Sequence, residues 1–364
     1  MRILVSCYPM AGHVNTVLPV ALAAQRAGHE VVVATGPDLV PHVERHGLRA
    51  WAVGPTFAEA GGVPDAPGFF AAAAGKRAVD LVPLALGWRP DVVVHEELEF
   101  AGAVAAARTG ARHVVHGLGL MPPAPLWQAV RPGIAGLGRR WDVPHLDAAV
   151  AAATFLEICP PSLRPPGERV WPDTLAVRPV AGLAVAGERL PDAVTALPHG
   201  QTVHLTLGTV FHGDGDVLEA AITGLRELPL NLVVTVGPGT DPARFGTQPR
   251  HVLVTPYVPH GLLLPRCALV VSQGGAGILF GALAHGIPQL VLPQGADQFG
   301  NADACRSAGA ALVLTGAEVT PGAVAGAAIR LLGDPGFTVA ARRVRAEIDA
   351  MPSADAVIGA ITAG

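Results

Sequence analysis

One short segment constrains the fold of this chain more than any other. Residues 268–272 form an apolar, β-branched run typical of a buried parallel strand, and a glycine-rich turn at 273–277 follows it directly. Residues 278–285 have the composition of a helix, which Gly286 and Pro288 bring to an end. A buried strand, a glycine turn and a helix in immediate succession form the repeating unit of doubly wound α/β domains.

The same segment has the properties of an anion-binding site. Glycines let the backbone approach a ligand closely, and the free N–H groups at the start of the following helix favour negative charge, so a diphosphate suits the turn. The next predicted strand is 289–292, and Asp297 and Gln298 follow its carboxyl end, where a carboxylate and an amide can hold sugar hydroxyls. Glycine turns also occur for purely structural reasons, so the turn alone does not establish a ligand.

The whole window 256–304 resembles the donor-binding signature of the family 1 glycosyltransferases with the GT-B fold. The likeness is greatest to the bacterial enzymes that glycosylate antibiotics and related natural products, such as the macrolide, enediyne and aromatic polyketide glycosyltransferases. It implies an α/β protein with two Rossmann-like, doubly wound domains that face each other across a cleft. It also implies a nucleotide sugar as co-substrate, without a metal ion or other cofactor.

The resemblance assigns roles to the residues of the donor site. It implies that Tyr257 and Val258 flank the nucleobase, that the 273–277 turn binds the pyrophosphate, and that Asp297 and Gln298 contact the sugar. A second phosphate contact is expected at the run TLGTVF, whose glycine and threonine otherwise have the ordinary uses of a turn and a cap. The predicted donor-binding residues are Gly208, Thr209, Tyr257, Val258, Gln273, Gly274, Gly275, Ala276, Gly277, Asp297 and Gln298.

One position departs from the family pattern. The family usually has histidine where this chain has Gln273, and that side chain is expected to donate a hydrogen bond to a donor phosphate. Glutamine can donate as well, but it cannot carry the positive charge of an imidazolium, so we expect phosphate binding that is weaker or less dependent on pH. The substitution leaves open a non-catalytic relative that binds the nucleotide sugar as a helper protein.

The main catalytic candidate is His13, which ends the loop after the first predicted strand, Arg2–Ser6, and precedes a helix predicted at 14–27. A helix start disfavours the imidazolium, which helps keep the ring neutral and able to accept a proton. The resemblance makes His13 the catalytic base. The structural alternative is a histidine that only hydrogen-bonds the backbone at a helix start.

The family orients its base with an acid after a strand of the first domain. Glu96 follows the apolar run 92–94 at the matching place, with glutamate instead of the more usual aspartate. Glu97 and Glu99 lie nearby, and loop residues do not alternate sides as strand residues do. We choose Glu96 as the partner of His13, and a solvated loop carboxylate remains the alternative for it.

Acceptor recognition is expected in the less regular segments 57–86 and 117–145, which carry phenylalanines, prolines and tryptophans. Gly12, Met121 and Trp127 are the predicted acceptor contacts, although loop aromatics more often close the core of their own domain. The segment that contains the first of these regions looks short for the family, which predicts room for a bulky aglycone.

Strand-like runs alternate with helical segments in both halves of the chain. We predict an acceptor-binding domain at residues 1–180, a donor-binding domain at 181–345 and a C-terminal helix at 346–364 that packs back on the first domain. The boundary lies in 179–200, which is rich in proline and glycine. The predicted strands are 2–6, 30–34, 92–94, 114–115, 204–207, 232–236, 251–254, 269–272, 289–292 and 311–314.

Composition argues against several other classes. Half of the 364 residues are apolar without one long apolar run, and the formal net charge is only −4, so neither a membrane nor a nucleic acid is an expected partner. Four widely spaced cysteines match no disulfide or zinc pattern, and we interpret the Asp-Gly-Asp run at 214–216 as a turn rather than a metal motif. No signal peptide is visible, so a cytoplasmic protein is expected.

These interpretations combine into one function. We expect an inverting glycosyltransferase that moves a sugar, often a deoxysugar, from a dTDP-sugar to a hydroxyl of a hydrophobic natural-product aglycone. Its expected partners are then two small molecules, the aglycone and the nucleotide sugar. The sequence does not decide between a monomer and a homodimer. The alternatives are a non-catalytic nucleotide-sugar-binding helper and a nucleotide-sugar epimerase.

Overall fold

The computed structural model describes residues 1–60, 69–164, 170–180, 182–185, 187–208, 215–237 and 239–363. Thr209, one of the predicted phosphate contacts, therefore lies outside the described residues. The chain divides into two compact units. The first contains Met1–Cys159, Pro165–Arg178 and Met351–Gly364, and the second contains Pro160–Arg164 and Pro179–Ala350.

Each unit is built on a parallel sheet. Among the described residues the first sheet has seven strands in the order β3-β2-β1-β4-β5-β6-β7, and the second has six in the order β10-β9-β8-β11-β12-β13. The strands are β1 Arg2–Ser6, β2 Glu30–Thr35, β3 Arg49–Ala52, β4 Val92–Glu96, β5 Arg112–His116, β6 Thr154–Glu157, β7 Thr174–Ala176, β8 Thr202–Thr206, β9 Asn231–Thr235, β10 Val252–Thr255, β11 Cys267–Ser272, β12 Gln289–Val291 and β13 Ala311–Val313.

Helices follow most of the strands, as parallel pairing requires. The α-helices are α1 Ala11–Arg26, α2 Val40–Arg45, α3 Phe69–Trp88, α4 Phe100–Thr109, α5 Ala124–Arg140, α6 Leu146–Ala151, α7 Asp192–Thr195, α8 Gly215–Leu225, α9 His260–Leu263, α10 Ala276–Ala284, α11 Gln298–Ser307, α12 Pro321–Gly333, α13 Pro335–Ala350 and α14 Ala354–Thr362. Short 3₁₀ turns occupy Pro37–Leu39, Pro161–Leu163, Pro242–Phe245, Leu264–Arg266 and Gly316–Glu318. Within the described ranges no helix has both the length and the apolarity to cross a membrane.

The central strands of both sheets are buried on both faces, which explains why their sequences are nearly continuous apolar runs. In the first unit β1 pairs with β4 in parallel, with Ser6 opposite His95, so both strands end at the same edge of the sheet. In the second unit β8 and β11 are paired in the same way, with Thr206 opposite Ser272. Glu96 ends β4 and His13 follows β1 at the first of these edges, and Gly208 and Gln273 follow β8 and β11 at the second.

Several elements differ from the sequence expectations, in their bounds or in being present at all. α1 begins at Ala11 and not at residue 14, so His13 lies in its first turn rather than in the loop before it. The supposedly irregular segment 57–86 contains most of the 20-residue α3, whose alanines pack on the core. β6 and β7, near the edge of the first sheet, were not predicted, because their runs are short and carry polar residues.

The C-terminal region contains two helices, α13 and α14. α13 begins at Pro335, consistent with the preference of proline for the first helical turn, and ends at Ala350. Ser353 caps α14 by accepting from the backbone N–H of Ala356. α14 packs on α1 within the first unit, and Arg26 of α1 forms an ion pair with Asp355.

Candidate active site

His13 faces a carboxylate that the neighbouring strand supplies. The Nδ1 atom of His13 lies 2.9 Å from Oε1 of Glu96, the last residue of β4. The His13 side chain is 14% exposed and the Glu96 side chain is fully buried. The Nδ1 side of the His13 ring is therefore held by the protein, while part of the ring remains accessible to a ligand.

Glu96 is held as a carboxylate by its surroundings. Its oxygens also accept hydrogen bonds from the backbone N–H of Tyr8 at 3.2 Å and of Leu98 at 2.6 Å. Burial opposes ionisation of Glu96, but the neighbouring His13 and the hydrogen bonds outweigh it, so the pKa of this carboxyl lies below its ordinary value. Because an ionised carboxylate only accepts, Nδ1 of His13 carries a proton and Nε2 is left to act as a proton acceptor in the neutral ring.

Glu99 has a different role from Glu96. It caps α4 by accepting from the backbone N–H groups of Ala101 and Gly102, and it also accepts from the hydroxyl of Ser6. Its second oxygen accepts from Nε of Arg77 at 3.0 Å in an ion pair whose side chains are 1% and 0% exposed. Arg77 is not among the residues predicted from the sequence, because its position within an alanine-rich helix gives no signal of a buried charge.

In the second unit the glycine turn is positioned at the end of β11. Gly274 has a φ of +85°, and a Cβ atom there would come within 2.5 Å of Val291 Cγ1, so the turn requires glycine on two counts. Gly275 is the residue before α10, and the turn is completed by Ala276 and Gly277 in the first turn of that helix. The backbone N–H groups at a helix start lack partners within the helix, which makes this end of α10 suitable for an anion.

The Gln273 side chain brings the ends of β11 and β8, the two central strands of the second sheet, into contact at this edge. Its side-chain amide packs against Gly208, which follows β8 and has a φ of +77°, so closely that a Cβ at Gly208 would overlap the Gln273 Nε2 atom. The Oε1 atom of Gln273 is buried and has no hydrogen-bond partner among the described residues. The side chain predicted to contact phosphate is thus placed directly over the turn.

Asp297 is exposed at the start of α11, whereas the neighbouring Gln298 is only 3% exposed. The Gln298 Oε1 atom accepts from the backbone N–H groups of Gln294 at 2.7 Å and Gly295 at 3.1 Å. These contacts give Gln298 a role in holding the loop before α11, so its amide oxygen is already committed to the protein.

Asn301, which is not among the residues predicted from the sequence, joins the glycine turn to Asp297. Its Nδ2 group donates to the carbonyl oxygen of Gly274 at 2.9 Å and to Oδ2 of Asp297 at 2.7 Å. Asn301 is fully buried, and it follows Asp297 by one helical turn of α11. An asparagine one turn after an acid at a helix start was the signal that could have identified it.

The two residues predicted to flank the nucleobase differ in exposure. Tyr257 is 59% exposed, and its hydroxyl donates to Glu188 at 2.9 Å. Val258 is fully buried in a cluster with Val194, Val233 and Leu263. Its side chain packs in the core, which leaves only its backbone groups for contact with a ligand.

The predicted acceptor contacts differ in their exposure to solvent. Gly12 is exposed in the first turn of α1, next to His13. Met121 and Trp127 are 9% and 8% exposed and belong to the hydrophobic core of the first unit, where the Trp127 ring lies 5.2 Å from that of Trp171. Both apolar side chains therefore have a packing role, Trp127 on the buried face of α5 and Met121 in the segment before it.

No group of three or more histidine, cysteine, aspartate or glutamate side chains in the described ranges is arranged to hold a metal ion. All four cysteines are free thiols, and Cys7, Cys159 and Cys305 are buried. Two parallel-sheet units, one with a histidine–carboxylate pair and the other with a glycine turn at a helix start, match the glycosyltransferase of the GT-B type that the sequence predicts.

Comparisons with known proteins agree with this class. Two family models match: the N-terminal domain of erythromycin biosynthesis protein CIII-like proteins over residues 68–166, and the C-terminal domain of the same proteins over 220–363. The chain is 30% identical to aklavinone 7-beta-L-rhodosaminyltransferase of Streptomyces galilaeus, with 98% of this chain and 94% of the relative covered. It is 32% identical to L-demethylnoviosyl transferase of Streptomyces niveus, with 86% and 85% covered.

The solved structures give the same result. The glycosyltransferase VinC in complex with dTDP matches with a TM-score of 0.84 and 27% identity, over 99% of this chain and 98% of VinC. The chain therefore belongs to the erythromycin biosynthesis protein CIII-like family of antibiotic glycosyltransferases and has their GT-B fold.

Proposed function

We propose that this protein is an inverting, metal-independent glycosyltransferase that moves a sugar from a dTDP-sugar to a hydroxyl group of a hydrophobic natural-product aglycone. His13 acts as the base, and Glu96 orients it. The observation that carries the proposal is the 2.9 Å contact between Nδ1 of His13 and the buried carboxylate of Glu96, which directs the basic Nε2 atom away from the protein.

The reaction is a single displacement. Nε2 of His13 removes the proton from the acceptor hydroxyl as its oxygen attacks the anomeric carbon, and the bond from that carbon to the diphosphate breaks. The carboxylate of Glu96 stabilises the imidazolium that forms. Because the oxygen attacks opposite the leaving group, the configuration at the anomeric carbon inverts.

The second unit supplies the donor site. Backbone N–H groups at the start of α10 and the amide of Gln273 meet the charge that develops on the leaving diphosphate, so no bound cation is needed. Asp297 contacts the sugar, and Tyr257 lies against the base. The structural likeness to VinC, solved in complex with dTDP, supports thymidine as the nucleoside.

The acceptor is a hydrophobic aglycone. The relative named for aklavinone, with 94% of its length covered, supports this class of substrate. Gly12 provides an exposed, side-chain-free surface beside His13 that lets a large acceptor approach the base. Met121 and Trp127 shape this region from the core side.

The test compares donor binding with turnover. His13→Ala is expected to lower kcat by about 10²- to 10⁴-fold while calorimetric binding of dTDP stays unchanged. His29→Ala is the matched control, because His29 is a surface residue just past the other end of α1. Unchanged turnover of His13→Ala would refute the assignment of the base.

Three further measurements test the finer parts of the proposal. The anomeric coupling constant of the product reports inversion, and a product with the configuration of the donor would contradict it. Turnover in a chelator should equal turnover in added Mg²⁺, and dTDP should bind more tightly than UDP. A metal requirement or a preference for UDP would overturn the corresponding part.

A further inference from the structure

Tyr8 is a buried residue of the active-site region to which the proposed reaction assigns no role. It lies in the loop between β1 and α1, is 1% exposed, and donates its backbone N–H to the same Glu96 oxygen that contacts His13. Its side-chain hydroxyl is buried and has no hydrogen-bond partner among the described residues. A buried hydroxyl without a partner lowers stability, so this group calls for an explanation.

The Tyr8 ring is the centre of an aromatic cluster that we define as Tyr8, Phe57, Phe69 and Phe70. The centroid distances from Tyr8 are 6.4 Å to Phe57, 6.1 Å to Phe69 and 5.4 Å to Phe70, all in edge-to-face geometry. The His13 ring lies 6.1 Å from Tyr8 on another side. The cluster therefore directly adjoins the proposed base.

The three phenylalanines are only partly buried, whereas Tyr8 is fully buried behind them. The cluster thus has an accessible apolar wall with one polar group in its interior. Burial raises the pKa of the Tyr8 phenol to about 12, although Arg77 acts in the opposite direction, so the hydroxyl is a neutral donor at cellular pH.

Packing alone does not account for the hydroxyl. Phenylalanine would fill the same space and make the same ring contacts without leaving a buried donor unpaired. A ligand oxygen that enters the cluster would supply the missing partner. The surrounding wall consists of aromatic rings, which pack favourably against the face or edge of another aromatic ring, so a flat aromatic molecule that carries this oxygen fits the cluster best.

We propose that Tyr8 is a specificity-determining residue for the acceptor: its hydroxyl donates to a carbonyl oxygen of a polycyclic aromatic acceptor that packs on the aromatic cluster, with the reacting hydroxyl of that acceptor at His13. Because the Tyr8 hydroxyl is buried in this structure, the proposal requires that Phe57 or Phe69 rotate when the acceptor binds. The inference rests on the proposed glycosyl transfer and adds to it the chemical class of the acceptor.

The test measures the binding of two probes in the absence of any sugar donor. Calorimetry or the fluorescence of the probe reports the affinity. The probes are 1,2-dihydroxyanthraquinone, which has ring carbonyls, and 1,2-dihydroxyanthracene, which has the same shape without them. The wild type is expected to bind the quinone about 10-fold more tightly than the anthracene. Tyr8→Phe is expected to bind the two probes equally, with the affinity for the anthracene unchanged.

Thr35→Val is the matched control, because Thr35 also has a buried hydroxyl, which lies against the Cys7 thiol and not in the aromatic cluster. Tyr8→Phe should leave the melting temperature unchanged or higher, since it removes an unpaired buried donor, whereas Thr35→Val should lower it slightly by removing the contact with Cys7. Only Tyr8→Phe should remove the preference for the quinone. This combination separates a ligand contact from a structural role.

Equal affinity of the wild type for the two probes, failure of the wild type to bind the quinone, or an unchanged preference in Tyr8→Phe would each overturn the inference. A loss of stability in Tyr8→Phe would show that the hydroxyl has a partner within the protein and would overturn it as well. Binding of dTDP, measured in parallel, tests the donor site separately. Failure of dTDP to bind would contradict the proposed transfer without changing the result for Tyr8.

Discussion

The Nδ1 atom of His13 and the Oε1 atom of Glu96 lie 2.9 Å apart although 83 positions separate them in the chain. Their proximity follows from the pairing of β1 with β4, which places Ser6 opposite His95 and brings both strand ends to one edge of the sheet. The loop after β1 then leads into α1, whose first turn carries His13. The parallel pairing of β1 with β4 thus brings the side chains of His13 and Glu96 together.

Glu96→Gln is expected to lower kcat by about a hundredfold, because the amide can no longer stabilise the imidazolium that forms on His13. Glu96→Asp keeps the charge on a shorter side chain and should retain more activity than Glu96→Gln. Steady-state kinetics with saturating donor measure both. Equal activity of the wild type and Glu96→Gln across the pH range would contradict this role.

Asn301→Ala is expected to weaken dTDP binding by about tenfold, because the glycine turn and Asp297 lose their shared donor. The acceptor KM should stay the same. Asn231→Ala is the matched control: this buried asparagine bonds the backbone of His199 at the start of the same sheet. Calorimetry should show normal dTDP binding for that control despite lower stability. Equal losses of dTDP affinity in both variants would indicate a general effect of unfolding.

Gln273→His is expected to introduce a pH dependence into phosphate binding. An imidazolium makes a stronger, charge-assisted hydrogen bond than an amide does, so the variant should bind dTDP up to about tenfold more tightly than the wild type near pH 5.5. Near pH 8 the two affinities should be similar. Calorimetry of both proteins at each pH removes the contribution of phosphate titration, and parallel pH profiles would disprove a phosphate contact at this position.

The buried ion pair between Arg77 and Glu99 is expected to tolerate double replacement better than single replacement. Arg77 also donates to the carbonyl oxygens of Val53 and Cys7, both at 2.9 Å, so Arg77→Met should cost about 3–5 kcal/mol by leaving Glu99 buried and uncompensated. Adding Glu99→Gln should recover part of this loss. Urea unfolding measures the free energies of unfolding.

The exposed pair of Arg26 and Asp355, with side chains 58% and 59% exposed, provides the control for the buried pair. Arg26→Met should cost less than about 1 kcal/mol, because solvent screens such a pair. A similar cost for Arg26→Met and Arg77→Met would contradict the role assigned to the buried pair.

The protein is expected to lose stability as the pH falls below about 6.5, the ordinary pKa of histidine. Burial lowers the pKa of His204 and His260, whose Nε2 atoms lie 3.2 Å apart, and burial lowers that of His116 to about 4. Below pH 6.5 the unfolded chain therefore binds more protons than the native chain, and stability rises with pH through this window.

His260→Gln keeps a donor at this position but removes one titrating group. The slope of the unfolding free energy against pH below 6.5 should become shallower by up to about 1.4 kcal/mol per pH unit. Denaturant unfolding between about pH 5 and pH 8 measures it, with the surface variant His29→Gln as control. An unchanged slope in His260→Gln would show that His260 does not contribute.

The sequence by itself determined the α/β class, the two sets of parallel strands and the glycine turn after β11. These features depend on local signals: continuous apolar runs mark strands that are buried on both faces, and glycines after β11 mark a turn with positive φ. The signature in 256–304 then added the family, which the comparisons confirm.

Only the tertiary structure decided which side chains meet. It paired Glu96 with His13 and assigned Glu99 to Arg77, a choice that sequence spacing cannot make, because the direction of a side chain at a strand end depends on the packing around it. It also directed the Gln298 amide oxygen into its own loop and placed Tyr8 behind a wall of phenylalanines. Such contacts join residues far apart in the chain, and only folding brings them together.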